Sequence, residues 1–68
     1  MLLVIDSGNT NVVFAVYDGD SLQGVWRCAN DPRRTADEYA VWLTELMKLR
    51  GISPAGIDGA ILATVVPQ

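Results

Sequence analysis

The stretch that decides the fold is Leu2-Leu3-Val4-Ile5-Asp6-Ser7-Gly8-Asn9-Thr10-Asn11, followed by Val12-Val13-Phe14-Ala15-Val16-Tyr17. Leu2–Ile5 is an uninterrupted apolar run, the pattern of a strand buried on both faces. Ser7–Asn11 is a run of small, loop-forming residues. Val12–Tyr17 is a second run, rich in β-branched and aromatic side chains. Two strands that both need burial are therefore joined by a short polar bend. Asp18-Gly19-Asp20 then gives a tight-turn signal. In Leu22–Cys28 the residues alternate, with Leu22, Trp26 and Cys28 expected on one face and Gln23 and Arg27 on the other. The first 28 residues thus predict a three-stranded antiparallel meander.

Downstream, Ala29–Arg34 is polar, contains Pro32 and reads as a connection. Thr35-Ala36-Asp37-Glu38 has the spacing of a capping box, a hydroxyl at the N-cap and a carboxylate three residues on. Tyr39, Trp42, Leu43, Leu46 and Met47 recur at i, i+3, i+4, i+7 and i+8, one apolar helical stripe. Acidic Asp37 and Glu38 open the segment while Lys48 and Arg50 close it, as the helix dipole favours. Gly51 suits the left-handed position after a helix, Ile52 can fold back on the last turn, and Pro54 prevents continuation. The spacing predicts a helix over 36–50. After the loop 53–59, Gly59–Val66 is a fourth, mostly apolar strand that ends at Pro67. A helix crossover to a strand parallel to the first gives an α/β architecture, the ribonuclease H-like β-β-β-α-β half-domain. The C-terminal ends of strands one and four then lie side by side, where open α/β sheets tend to bind ligands.

Composition narrows the chemistry. The chain has 68 residues, half of them apolar, and is too short for more than one small domain. Five Lys plus Arg against eight Asp plus Glu give a net charge of −3, which argues against nucleic-acid or anionic-membrane partners. There is no histidine and one cysteine, Cys28. Serine-type triads, His-containing zinc sites and an internal disulfide are thereby excluded. The longest apolar run, Ala60–Val66, is far short of a membrane span, and Met1–Ile5 lacks the basic flank of an export signal. A cytoplasmic location is expected.

What remains is carboxylate, hydroxyl, amide and backbone chemistry, and it concentrates in Asp6-Ser7-Gly8-Asn9-Thr10-Asn11. Gly8 allows a positive φ and a close approach to the backbone. Successive N–H groups in such a bend can converge on an anion, and the side chains of Ser7, Asn9, Thr10 and Asn11 add donors for phosphate oxygens. Asp6 would repel a bare phosphate but suits Mg²⁺ bound together with one, directly or through a water. The same residue types also make ordinary turns. Arg33 and Arg34 read as a solvated loop, Trp42 as core, Trp26 as packing on the sheet face or at a subunit contact, Cys28 as a small buried hydrophobe, and Thr35 as a cap.

The opening motif, then Trp26-Arg27, then Arg33-Arg34-Thr35-Ala36-Asp37-Glu38-Tyr39, and finally Val65-Val66-Pro67 resemble, in order, the start of type III pantothenate kinases. These belong to the superfamily of actin, heat-shock chaperones and sugar kinases. Ser7, where the family usually has an apolar residue, and Ala63-Thr64, where it has Ser-Ser, depart from the pattern. The resemblance implies ATP-dependent phosphorylation of pantothenate, the first step of coenzyme A synthesis, with Asp6–Asn11 as the ATP phosphate loop. It also implies Mg²⁺ at Asp6, a monovalent cation (K⁺ or NH₄⁺) and a homodimer. ATP would sit between two related domains. Residues 1–68 would then be the N-terminal part of the first actin-like ATPase subdomain, with no catalytic residue assignable and no turnover of its own. The alternatives are another kinase of the superfamily with a different acceptor, and a non-catalytic transcription accessory homologue.

Overall fold

The computed structural model describes residues 1–64; Val65, Val66 and Pro67 lie outside the described residues. The elements are β1 (Leu2–Ser7), β2 (Asn11–Asp18), β3 (Ser21–Ala29), α1 (Ala36–Leu49), a 3₁₀ turn (Pro54–Gly56) and β4 (Gly59–Thr64). They form one four-stranded sheet in the order β3-β2-β1-β4. β1 runs antiparallel to β2 (Leu2 opposite Tyr17, Ser7 opposite Val12) and parallel to β4 (Leu2 opposite Gly59, Ser7 opposite Thr64). The mixed sheet with one helix is the expected α/β half-domain.

The β2–β3 link is the two-residue connection Gly19-Asp20, with Gly19 at φ 60°. Positive φ at the first turn position alone is the type II′ requirement, and only glycine meets it without strain. β3 departs from simple alternation. Gly24 pairs with Val16 but Leu22 pairs with Tyr17, so Gln23 is an extra residue in the strand. This bulge turns Leu22 to the face opposite Trp26, where it is half exposed. The expected shared face for Leu22 and Trp26 is therefore corrected. Gly24 itself is required by packing: a Cβ there would lie 2.6 Å from the Trp26 ring.

α1 forms where its local signals place it. Thr35 Oγ1 accepts the Glu38 N–H at 3.2 Å, and Glu38 Oε1 accepts the Thr35 N–H at 3.1 Å, completing the capping box. At the other end Gly51, at φ 76°, donates to the Lys48 carbonyl and Ile52 to the Met47 carbonyl, the paired bonds of a Schellman motif. The helix ends at Leu49 with Arg50 as its cap, one residue short of expectation.

The core lies between α1 and the β2–β3 half of the sheet. Val12, Phe14, Val16, Trp26, Leu43, Met47 and Ile52 are buried. Phe14 packs tilted against Trp42, with ring centroids 5.5 Å apart, and against Tyr39 at 6.2 Å. Trp26, expected on the sheet face, is the more buried tryptophan, and Trp42 is half-buried against the core. β4 is an outer strand in this sheet, with Ile61 and Leu62 more than half exposed, so its expected buried central position is not reached within the described residues.

Candidate functional site

Strand β1 extends through Asp6 and Ser7, so the bend between β1 and β2 is the three residues Gly8-Asn9-Thr10. Alternation in β1 sends the two preceding side chains to opposite faces. Ser7 shares the helix-covered face with Leu3 and Ile5. Asp6 lies on the other face, opposite Val13 on one side and Ala63 on the other, and is exposed. Asp6 thus stands beside the described tip of β4, as the parallel placement of strands one and four requires. Asn9, Thr10 and Asn11 are exposed together at the turn, while Gly8 and Ser7 are half-buried. The structure gathers the six candidate residues at one end of the sheet but does not put the Asp6 and Ser7 side chains on one face.

The bend is not a closed two-residue hairpin. Gly8 N–H donates to the Asn11 carbonyl at 2.9 Å, but the reciprocal bond from Asn11 N–H to the Gly8 carbonyl is absent among the described residues. No residue of the bend has positive φ, so the I′ and II′ turns that would close it are not adopted. Gly8 takes no left-handed conformation, correcting the expectation of positive φ there, and a Cβ on it would lie 3.4 Å from the Asn11 carbonyl oxygen, at the edge of ordinary van der Waals contact. Asn9 and Thr10 N–H groups make no hydrogen bond within the described residues. Two backbone donors unused among the described residues, beside exposed hydroxyl and amide side chains, are free to donate to an anion.

One residue that sequence reading passed over holds this arrangement. Asn30 Nδ2 donates to the Gly8 carbonyl at 2.6 Å and approaches Ser7 Oγ at 3.4 Å, and Asn30 N–H donates to the Thr10 carbonyl at 2.9 Å. Its signal lay in register, not in motif: Asn11 pairs with Ala29, so the residue that follows β3 falls opposite Thr10. Beyond it, Asp31 accepts from the Arg33 N–H at 2.9 Å and from its guanidinium at 3.2 Å. These Arg33 hydrogen bonds hold the Asp31 carboxyl below its ordinary value. Tyr39 Oη accepts the Asp31 N–H at 3.2 Å, and the Arg34 guanidinium lies 5.6 Å over the Tyr39 ring. Arg33 is exposed, as expected for a solvated loop. Cys28 is a free, half-buried thiol packed against the core.

Where α1 leaves β1 and β4 uncovered, a cleft of about 460 Å³ opens on the helix side, lined by Ile5, Ser7, Phe14, Asn30, Tyr39 and Leu62 among others. Its wall is almost wholly apolar, and Ser7 and Asn30 are its polar contribution toward the bend. The described residues contain no group of three or more His, Cys, Asp or Glu side chains placed to hold a metal ion. The donor set suits a cation carried in with a phosphate, for which one carboxylate suffices.

The model of the family described as type III pantothenate kinase matches residues 2–68. Curated relatives bearing the name type III pantothenate kinase include those of Paramagnetospirillum magneticum (61% identical over 67 residues) and Rhodospirillum rubrum (63% over 67). Each match covers 98% of this chain and 26% of the relative. The Rhizorhabdus wittichii relative is 57% identical over all 68 residues, again 26% of its length. The chain thus spans about a quarter of the length of the curated relatives it matches. With the opening motif, the capped helix and the parallel fourth strand in the order the resemblance requires, the chain belongs to the type III pantothenate kinase family.

Proposed function

We propose that this chain supplies the ATP phosphate loop of a pantothenate kinase, in a protein that continues beyond it. The observation that carries the reading is the open bend: Asn9 and Thr10 N–H groups unused among the described residues, their side chains exposed, and Asp6 at the same end of the sheet, next to the described tip of β4. In the reaction, the hydroxyl oxygen of pantothenate forms a bond to the γ-phosphorus of ATP. The bond from that phosphorus to the bridging oxygen breaks, ADP leaves, and the hydroxyl proton passes to a base.

Phosphoryl transfer is mainly positioning and charge stabilisation, and this chain's share is the ATP side. Asn9 and Thr10 present backbone donors to phosphate oxygens, Gly8, whose own N–H is taken by the Asn11 carbonyl, faces them, and Asn11 and the hydroxyls of Ser7 and Thr10 add to them. Asp6 holds Mg²⁺, directly or through a water, and the ion supplies charge neutralisation on the phosphates. The acceptor site and the base belong to other parts of the protein. A monovalent cation (K⁺ or NH₄⁺), a homodimeric assembly and a cytoplasmic location complete the proposal. So does the absence of nucleic-acid and membrane partners, consistent with the acidic balance of the chain.

The test is Asp6→Asn in the full-length protein that carries this chain, assayed for pantothenate-dependent ADP release. A fall of at least about a hundredfold in turnover, with the thermal midpoint unchanged, is expected. Turnover close to wild type would refute the role given to Asp6.

A further inference from the structure

We infer that Asn30 is a positioning residue for the phosphate loop: it holds open the bend that an ordinary hairpin would close. The inference rests on the proposed role of the bend. In a two-residue hairpin the Gly8 carbonyl would accept the Asn11 N–H. Here the Asn30 side chain takes that carbonyl instead, at 2.6 Å, while the Asn30 N–H takes the Thr10 carbonyl at 2.9 Å. One residue thus fixes a carbonyl on each side of Asn9.

Peptide planarity converts those two contacts into an orientation. In a trans peptide the carbonyl of one residue and the N–H of the next point in opposite directions. The bond that draws the Gly8 carbonyl toward Asn30 therefore turns the Asn9 N–H away from Asn30, toward the outer side of the bend. The bond to the Thr10 carbonyl does the same for the Asn11 N–H. The Asn9 donor is thus set before any ligand arrives, and a fixed dipole of this kind needs no reorganisation on binding. Asn30 is half-buried and reaches Gly8 across 22 residues of chain, so its contact is fixed by the β2–β3 register and not by local turn chemistry. Ser7 Oγ, 3.4 Å from the same amide nitrogen, further restricts the side chain.

The experiment uses the full-length protein with Asn30→Ala, Asn30→Leu and Asn30→His, each measured for KM of MgATP, KM of pantothenate, kcat and thermal midpoint. Alanine and leucine remove the donor while leaving the backbone bond to Thr10. Histidine restores a ring N–H at the same bond distance from the backbone as the asparagine amide nitrogen. The expected result is a rise of about tenfold in KM for MgATP in the alanine and leucine variants, the size of one lost hydrogen bond to a half-buried carbonyl. KM for pantothenate should stay within about twofold, and histidine should recover at least half of the loss on a logarithmic scale. An unchanged KM for MgATP in the alanine and leucine variants overturns the inference. So does an equal rise in both KM values that follows the thermal midpoint, which is the pattern of general loosening. Asp6→Asn run in parallel separates the two levels: if it is inactive and Asn30 variants are silent, only the inference fails. If Asp6→Asn is fully active, the phosphate-loop reading itself fails.

Discussion

Replacing Gly24 by alanine tests the packing of Trp26 across β3 directly. An added Cβ would stand 2.6 and 2.9 Å from two carbons of the Trp26 ring, distances that real side chains do not hold, and both residues are buried. The indole is rigid and lies under α1, with the Arg50 guanidinium 5.8 Å from its ring centroid, so it cannot swing aside freely. Overpacking of this kind costs about 1–3 kcal/mol. Against it, alanine in a strand interior recovers about 0.5–1 kcal/mol of the backbone entropy that glycine loses on folding. The net expectation is a loss of about 1–2 kcal/mol, and the steric part must depend on Trp26. A double-mutant cycle isolates it: Gly24→Ala is measured in the native background and in Trp26→Leu, by urea unfolding followed by circular dichroism. With the ring gone, the alanine should be neutral or stabilising, giving a coupling energy of about 1–3 kcal/mol. A coupling energy within error of zero would show that the ring does not lie across Gly24, and the requirement for glycine drawn from that contact would fall with it.

Two further outcomes are expected. Thr35→Ala should lower stability by about 1 kcal/mol through loss of the cap. Glu38→Gln, which keeps a side-chain oxygen as acceptor, should cost less; equal losses in chemical unfolding would contradict the reciprocal bonding at the helix start. The Asp31 carboxyl is held below its ordinary value by its Arg33 hydrogen bonds, and Asp58 likewise by the amine of Met1 at 2.8 Å. Each carboxylate therefore contributes stability that is fully present above the unfolded-state value and is lost as pH falls through the lower folded-state value, in the window below about pH 4. Asp31→Asn should flatten the acid limb of the thermal midpoint measured against pH, and an unaltered limb would remove Asp31 from the account.

The parts of the fold that could be read from sequence are those whose signals are local. The Thr35 and Glu38 pair, the Tyr39 to Met47 stripe and Gly51 each act within a turn or two of the chain, so spacing alone places α1 to within one residue. The parallel placement of β4 beside β1 followed from the apolar character of both. The face of Leu22 was not readable by alternation, because the extra residue Gln23 shifts the phase of the strand. The glycine next to it was the available hint, since an interior strand glycine marks a bulge or a close approach. Within the site, Asp6 to Asn11 announced themselves by composition. Asn30 did not, because nothing local distinguishes an asparagine in a polar connection from one that spans to a bend 22 residues earlier. Only the register between β2 and β3, once known, puts it opposite Thr10.

The place of β1 in the sheet has a consequence for how the chain assembles. β1 comes first in the sequence yet needs a neighbour on both sides, and the two arrive at very different times. β2 follows after a three-residue bend, so that ladder closes quickly. The β4 ladder joins Leu2 to Gly59 and waits until almost the whole stretch has left the ribosome. In that interval one flank of an apolar strand is left with unmatched backbone groups, the kind of edge that captures stray strands from other molecules. Slow synthesis through residues 30–58 should therefore raise the demand for chaperones, whereas the finished parallel pair covers that flank of β1 and passes the outer position to β4.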